Sequence, residues 1–234
     1  MQHAARWLLA LLLAHPAAPA AAATKKDPAL LEKGCAGGQV RDCYDLAVLL
    51  AAGEGVAKDT GRAVLLLKQA CDNRLPQACS TLGYMHLGGE GAKKDNAQAA
   101  TLLKQACEGK IADACFNVGL LYRQGDGVPK DLAGAAGFLR QACDGGVAQA
   151  CYELATMTDA AEGVASDPVE AAALYKKGCD KGNSLACFRL AIRYSTGRGV
   201  ERSRPIAAHL LKQACDGGIA DACTALNSLL LSPQ

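Results

Sequence analysis

Six pairs of cysteines constrain this chain more than any other feature. They fall at Cys35 and Cys43, Cys71 and Cys79, Cys107 and Cys115, Cys143 and Cys151, Cys179 and Cys187, and Cys215 and Cys223. The spacing within a pair is always eight, and each pair follows the last by 36 residues without an insertion. Self-similarity at a fixed period of this size is the mark of a stacked repeat architecture. The agreement reaches beyond cysteine, since every 36th residue also gives Asp59, Asp95, Asp131, Asp167 and then Ser203, and likewise Gly55, Gly91, Gly127, Gly163 and Gly199.

One unit reads as two helices. Asp131 is placed to N-cap a helix in which Leu132, Ala135, Ala136 and Leu139 recur at helical spacing. Arg140, like Lys68, Lys104 and Lys212, is expected in the last turn, where a cation suits the helix dipole. Gly145 and Gly146 then end the helix, because glycine accepts the left-handed conformation at low cost. A second helix starts near Val147 and stops at a loop such as GEGVAKD (53–59) or GDGVPKD (125–131), whose glycines are accounted for by helix termination. The first cysteine of each pair thus closes one helix, the second opens the next, and the reversal between them favours pairing within the pair. Counting alone permits roughly ten thousand pairings of twelve cysteines. A local bridge closing nine residues contributes about 2.6 kcal/mol in the chain-entropy model.

The first residues, MQHAARWLLALLLAHPAAPAAAATKKD, carry Arg6, a short apolar core from Trp7 to Ala14, and an A-x-A site at Ala21 and Ala23. Residues 1–23 read as a secretory signal peptide, which leaves residues 24–234 as one solenoid domain; the apolar run is too short to cross a bilayer. Arg6 is the only charge removed, so 25 basic residues fall to 24 against 23 acidic ones. That balance argues against nucleic-acid binding, and no later run is long enough for membrane insertion. Cysteine-rich and exported, the chain is expected to be secreted or periplasmic, with an endoplasmic-reticulum lumen left open.

Metal and cofactor sites are not expected. Structural zinc favours cysteines two to four residues apart, and the mature chain holds only His86 and His209, in different units. The GxG loops lack the G-K-[ST] ending of a phosphate loop.

The phrases LGYMHLGGEGAKKDNAQAATLLKQAC (82–107) and VGLLYRQGDGVPKDLAGAAGFLRQAC (118–143) resemble Sel1-like repeats, relatives of the tetratricopeptide repeat. With a C-x7-C pair in each unit and a signal peptide, the chain resembles the Helicobacter cysteine-rich protein family. The resemblance covers about residues 28–230. It implies an all-α, α/α solenoid, secretion, and disulfides within each cysteine pair. It also implies penicillin binding with slow β-lactamase activity, and so a β-lactam or peptidoglycan-like ligand. The residues do not support that chemistry. No S-x-x-K occurs; Ser195 sits in STGR, and Ser166-Asp167 is followed by Pro168. An enzyme is therefore not expected, and if present would be a β-lactamase without recognisable serine or zinc motifs.

A binding scaffold fits better. The register of Leu46, Leu82, Val118, Leu154, Leu190 and Leu226 stays aliphatic, and Ala47, Gly83, Gly119, Ala155 and Ala191 beside it stay small, as packing requires. Two registers vary in chemistry: Asp45, Thr81, Asn117, Glu153 and Arg189, and four residues earlier Arg41, Gln77, Asp113, Gln149 and Leu185. Their i, i+4 spacing puts them on one helix face, with Tyr84 as an aromatic neighbour. Arg41, Asp45, Gln77, Tyr84, Asp113, Asn117, Gln149, Glu153 and Arg189 are the candidate residues of a concave face for a protein or peptide partner. The aromatics Tyr44, Phe116, Tyr152 and Phe188 read as packing between units. The fourth unit departs from pattern at Asp159, Ala161 and Ser166, which predicts a differently set loop or a longer helix there.

Overall fold

The computed structural model describes residues 27–231, so the expected signal peptide at 1–23 lies outside the described residues. Twelve helices follow one another without a strand among the described residues. They are α1 (Pro28–Ala36), α2 (Val40–Ala52), α3 (Thr60–Asp72), α4 (Pro76–Gly88), α5 (Asn96–Glu108), α6 (Ala112–Gln124), α7 (Leu132–Asp144), α8 (Ala148–Ala160), α9 (Pro168–Asp180), α10 (Ser184–Thr196), α11 (Arg204–Asp216) and α12 (Ala220–Leu231). Each helix packs against the one before and the one after it. Side-chain bonds also join α3 to α1, α7 to α9, α4 to α6 and α6 to α8, so odd helices form one layer and even helices the other.

Local chemistry sets the helix ends. The carboxylates of Asp59, Asp95 and Asp131 accept from the N–H of Arg62, Gln98 and Gly134 at 2.8–2.9 Å, and Asp167 accepts from Val169 and Glu170. Ser203, the one departure in this register, makes no such bond, and α11 begins instead with a proline in its first turn. The odd helices run one residue past each first cysteine, so Lys68, Lys104, Arg140 and Lys212 lie a turn before the end rather than in the last turn. Lys68 and Lys212 pair with Asp72 and Asp216 at 2.8 and 2.7 Å, and Arg140 reaches Glu170 of the next odd helix at 2.7 Å. Lys68 and Lys212 thus neutralise the acidic ends of their own helices, whereas Asp144 at the end of α7 is met by Lys177 at 2.6 Å, which corrects the dipole expectation.

All six disulfides form within their pairs, with Cα atoms 4.6–4.8 Å apart. The two turn positions that follow each odd helix, Gly145 and Gly146 after α7, do different jobs. Only the second is left-handed, at φ 102° for Gly146, and Arg74 and Lys110 adopt the same conformation without being glycine. The first remains helical in Gly145, where a Cβ would lie 2.5 Å from that of Ala112 in the preceding unit. That glycine makes room for the neighbouring helix.

The core is a file of small and aliphatic side chains between the layers. Leu67, Leu103 and Leu139 are fully buried, and Gly83 and Gly119 let Leu103 and Leu139 approach their helices. The loop glycines also divide in two. Gly53, Gly89, Gly125 and Gly197 end even helices in the left-handed region, and Ala161 does the same at φ 56°. Helix α8 therefore keeps the 13-residue length of its neighbours and does not run further. The second loop glycine has another cause. A Cβ on Gly91 would lie 2.5 Å from the Thr60 carbonyl oxygen, and Gly127, Gly163 and Gly199 press against Asn96, Leu132 and Pro168 in the same way. Each loop thus docks on the first turn of the preceding odd helix, a contact that termination alone does not explain.

Substitution separates the two roles. Gly127→Ala is expected to lose about 2–4 kcal/mol in urea unfolding of the oxidised protein, from overpacking and a left-handed backbone together. Gly125→Ala should cost only about 1–2 kcal/mol. Equal losses would mean that both glycines serve termination alone.

Candidate interaction face

Even helices present three registers, at i, i+4 and i+7, on one side. On α2 the Arg41 guanidinium lies 3.4 Å from Asp45 and over the Tyr44 ring, 5.3 Å from its centroid. On α4 Gln77 is half-buried, and its amide oxygen is buried with no hydrogen-bond partner among the described residues. Tyr84 is 38% exposed, and its hydroxyl accepts from Asn117 Nδ2 at 3.0 Å. Burial raises the Tyr84 phenol above its usual range, opposed by hydrogen bonds with Ser80 and Asn117. The Asn117 amide also donates to the Asp113 carbonyl at 2.8 Å, while the Asp113 carboxylate stands exposed.

A continuous network spans α6, α8 and α10. Arg123 donates to Glu153 at 2.8 Å and to Glu162 at 3.0 Å. Gln149 donates to Glu153 at 2.8 Å, and Asn183 donates to Gln149 at 2.7 Å. These bonds hold half-buried polar groups in fixed rotamers across three units, which lowers the ordering cost of binding. Arg189 stands exposed on α10. The nine residues predicted from sequence therefore share the even-helix layer; Tyr84 with Asn117 and Gln149 with Glu153 are bonded pairs, whereas Gln77 and Arg189 stand apart.

The sequence points to Tyr84 in the third register, but not to the continuation of that register at Thr156 and Ile192. Val48, Tyr84 and Ile192 are each 38–39% exposed, with half-buried Leu120 and Thr156 between them. Projecting the period from Tyr84 would have found Ile192. Arg123 and Asn183 had no such signal, because their bonds depend on side-chain reach between units. The aromatics Tyr44, Phe116, Tyr152 and Phe188 pack against the core yet are only half-buried.

The departures in the fourth unit have a partner in the fifth. Asp159 on α8 pairs with Arg193 of α10, which is only 4% exposed and stands where other units have Leu121 or Met157. Arg193 also donates to the Pro168 and Arg198 carbonyls at 3.0 and 3.1 Å, tying the loop after α10 to the start of α9. Tyr175, in the register of Leu139, donates to Asp159 at 3.1 Å. Burial pushes its phenol well above the usual range, and the Asp159 charge adds to the shift. Three changes from the repeat pattern thus form one ionic cluster. Arg193→Met alone is expected to cost about 1–3 kcal/mol, because the Asp159 carboxylate loses its buried partner and keeps only the Tyr175 hydroxyl and the exposed Arg198. Asp159→Ser, Tyr175→Leu and Arg193→Met together should restore or exceed wild-type stability in urea unfolding, since a packed apolar cluster can replace a buried pair. A triple variant as weak as the single one would show that the three do not act as a unit.

The Sel1 repeat family matches five times, at residues 41–74, 76–110, 112–147, 148–183 and 184–219. Each match holds one even helix and the odd helix after it, with α1 and α12 outside the matches. Among solved structures, a protective antigen of uropathogenic Escherichia coli strains displaying an SLR fold superposes with TM-score 0.81 at 29% identity, covering 86% of this chain. This chain spans only 43% of that antigen. A Sel1 repeat protein from Oxalobacter formigenes gives TM-score 0.79 at 25% identity over 86% of this chain and 83% of its own. The Helicobacter pylori cysteine rich protein B gives TM-score 0.45 at 24% identity over 54% of this chain and 96% of its own. No curated protein matches. With five tandem matches across alternating even and odd helices, the chain belongs to the Sel1 repeat family.

Proposed function

We propose that this protein is an exported scaffold that binds a partner protein through its even-helix face. The observation that carries the reading is the face itself: equivalent positions on successive helices carry different chemistry, while the registers beside them stay apolar or small for packing. Variation at a fixed geometry is how a repeat array encodes a recognition surface. Bonds between units hold several of these groups before any ligand arrives. Six disulfides suit an oxidising compartment, which supports the signal-peptide reading and a secreted or periplasmic location. No helix among the described residues is long and apolar enough to cross a membrane.

Nothing on this face favours the β-lactam alternative. Every cysteine is disulfide-bonded, and the Ser195 hydroxyl donates to the Ala191 carbonyl rather than to a base.

Selection from a displayed random-peptide library tests the scaffold. Peptides enriched on oxidised residues 24–234 should bind at least tenfold more weakly to a Tyr84→Ala, Asn117→Ala, Arg189→Ala variant. They should bind unchanged to Lys68→Ala on the odd layer. Circular dichroism confirms that each variant is folded. Enriched peptides indifferent to the face variant, or no enrichment at all, would contradict the proposal.

A further inference from the structure

One of the six bridges is open to chemistry that burial denies to the other five. Ten of the cysteines are at most 6% exposed, whereas Cys215 and Cys223 are both half-buried. The difference lies in what the following unit supplies. Gln105 Oε1 lies 3.5 Å from Cys71 Sγ, and the amide oxygens of Gln141 and Gln213 lie 3.6 Å from the sulfurs of Cys107 and Cys179. Each glutamine comes from the next odd helix and covers the first sulfur of the pair before it. Cys35 and Cys143 are closed off by packing, at 6% and 0% exposed. Cys215 has no such cover among the described residues.

Helix α12, which carries Cys223, is also weakly anchored. It buries only Ala222, where each other even helix buries four to six residues. Leu230 and Leu231 near its end are 65% and 85% exposed. It packs on α11, where Arg204 donates to the Leu229 carbonyl, and the bridge ties its first turns to the last turn of α11. A segment with so few buried contacts opens locally at low cost.

We propose that Cys215–Cys223 is a thiol-exchange site, the bridge at which this protein takes up a mixed disulfide while the other five persist. An incoming thiolate attacks Cys215 Sγ, the sulfur without a glutamine over it. The new bond joins the incoming sulfur to Cys215, the Cys215–Cys223 bond breaks, and its electron pair leaves on Cys223. Cys223 is the fourth residue of α12, where the positive helix end favours a thiolate; Cys215 sits at the negative end of α11 and leaves less readily. That polarity is common to all six pairs, so it sets the direction of exchange, and exposure selects the pair. A second thiolate then attacks the mixed disulfide and releases Cys215 as a thiolate, so two thiols are oxidised for one cystine reduced. Loss of this bridge unties α12 from α11 and leaves the other five junctions closed.

Brief treatment of oxidised residues 24–234 with reduced glutathione, quenched with N-ethylmaleimide and mapped by fragment mass spectrometry, tests it. A parallel arm uses reduced thioredoxin, a dithiol protein, and reads maleimide on both cysteines. Cys215 and Cys223 should be modified at least tenfold faster than any other pair in at least one arm, and the arm that shows it identifies the source of the thiolate. In the glutathione arm the adduct should sit on Cys215 and the maleimide on Cys223. A Cys215→Ser, Cys223→Ser variant should lose the fast phase and keep the five slow ones. Another pair reacting first, all six opening together, or a fast phase that survives in the variant overturns the site. Glutathione on Cys223 overturns the direction of attack.

Discussion

The handover from each odd helix to the next even one is the contact on which the rest of this structure depends. A disulfide closes it from inside, and a glycine or its equivalent lets the preceding unit press against it from outside. At Cys143 and Cys151 both sulfurs are fully buried, and Gly145 meets Ala112 of the unit before. The bridge removes chain entropy locally, about 2.6 kcal/mol per nine-residue loop. That matters because a core of alanine and leucine buries little area per residue and each unit touches only its neighbours. The last bridge among the described residues, Cys215–Cys223, is only half-buried.

Fixing that turn fixes the face. Once the cystine sets where each even helix begins, every later residue on it falls at the same angle in each unit. The loop glycines then lock the far end of the even helix onto the preceding odd helix. Between these two anchors the outward registers are free to vary without loss of packing, and it is there that charge, amide and aromatic groups alternate. The Asp159–Arg193–Tyr175 cluster is the exception, a place where variation has entered the junction between units instead. Three coordinated changes keep it satisfied.

Much of this was legible in the sequence because the period repeats the same experiment six times. Cysteine pairing, aspartate caps and the aliphatic register around Leu154 are local or periodic, and periodicity exposes them. What escaped was contact between units. In sequence Gly127 reads as a helix terminator, and only its approach to Asn96 shows the docking role. Asp159 stands out as a departure, but its partner Arg193 lies 34 residues away on the next even helix, beyond any local pattern. The half-exposed row through Val48 and Ile192 was hidden because an aliphatic residue in a helical pattern reads as core. Which side it faces is decided by neighbouring helices.

Thermal unfolding of oxidised residues 24–234 beside the fully reduced and alkylated chain, followed by helical circular dichroism, tests the central claim most directly. If the cystine turns set the helix register, the reduced chain should lose most of its helical signal by about 37 °C while the oxidised chain retains it, since six bridges together rival the ~5–15 kcal/mol stability of a typical domain. A reduced chain that melts within a few degrees of the oxidised one would contradict the account, and would place the stability of the array in its packing alone.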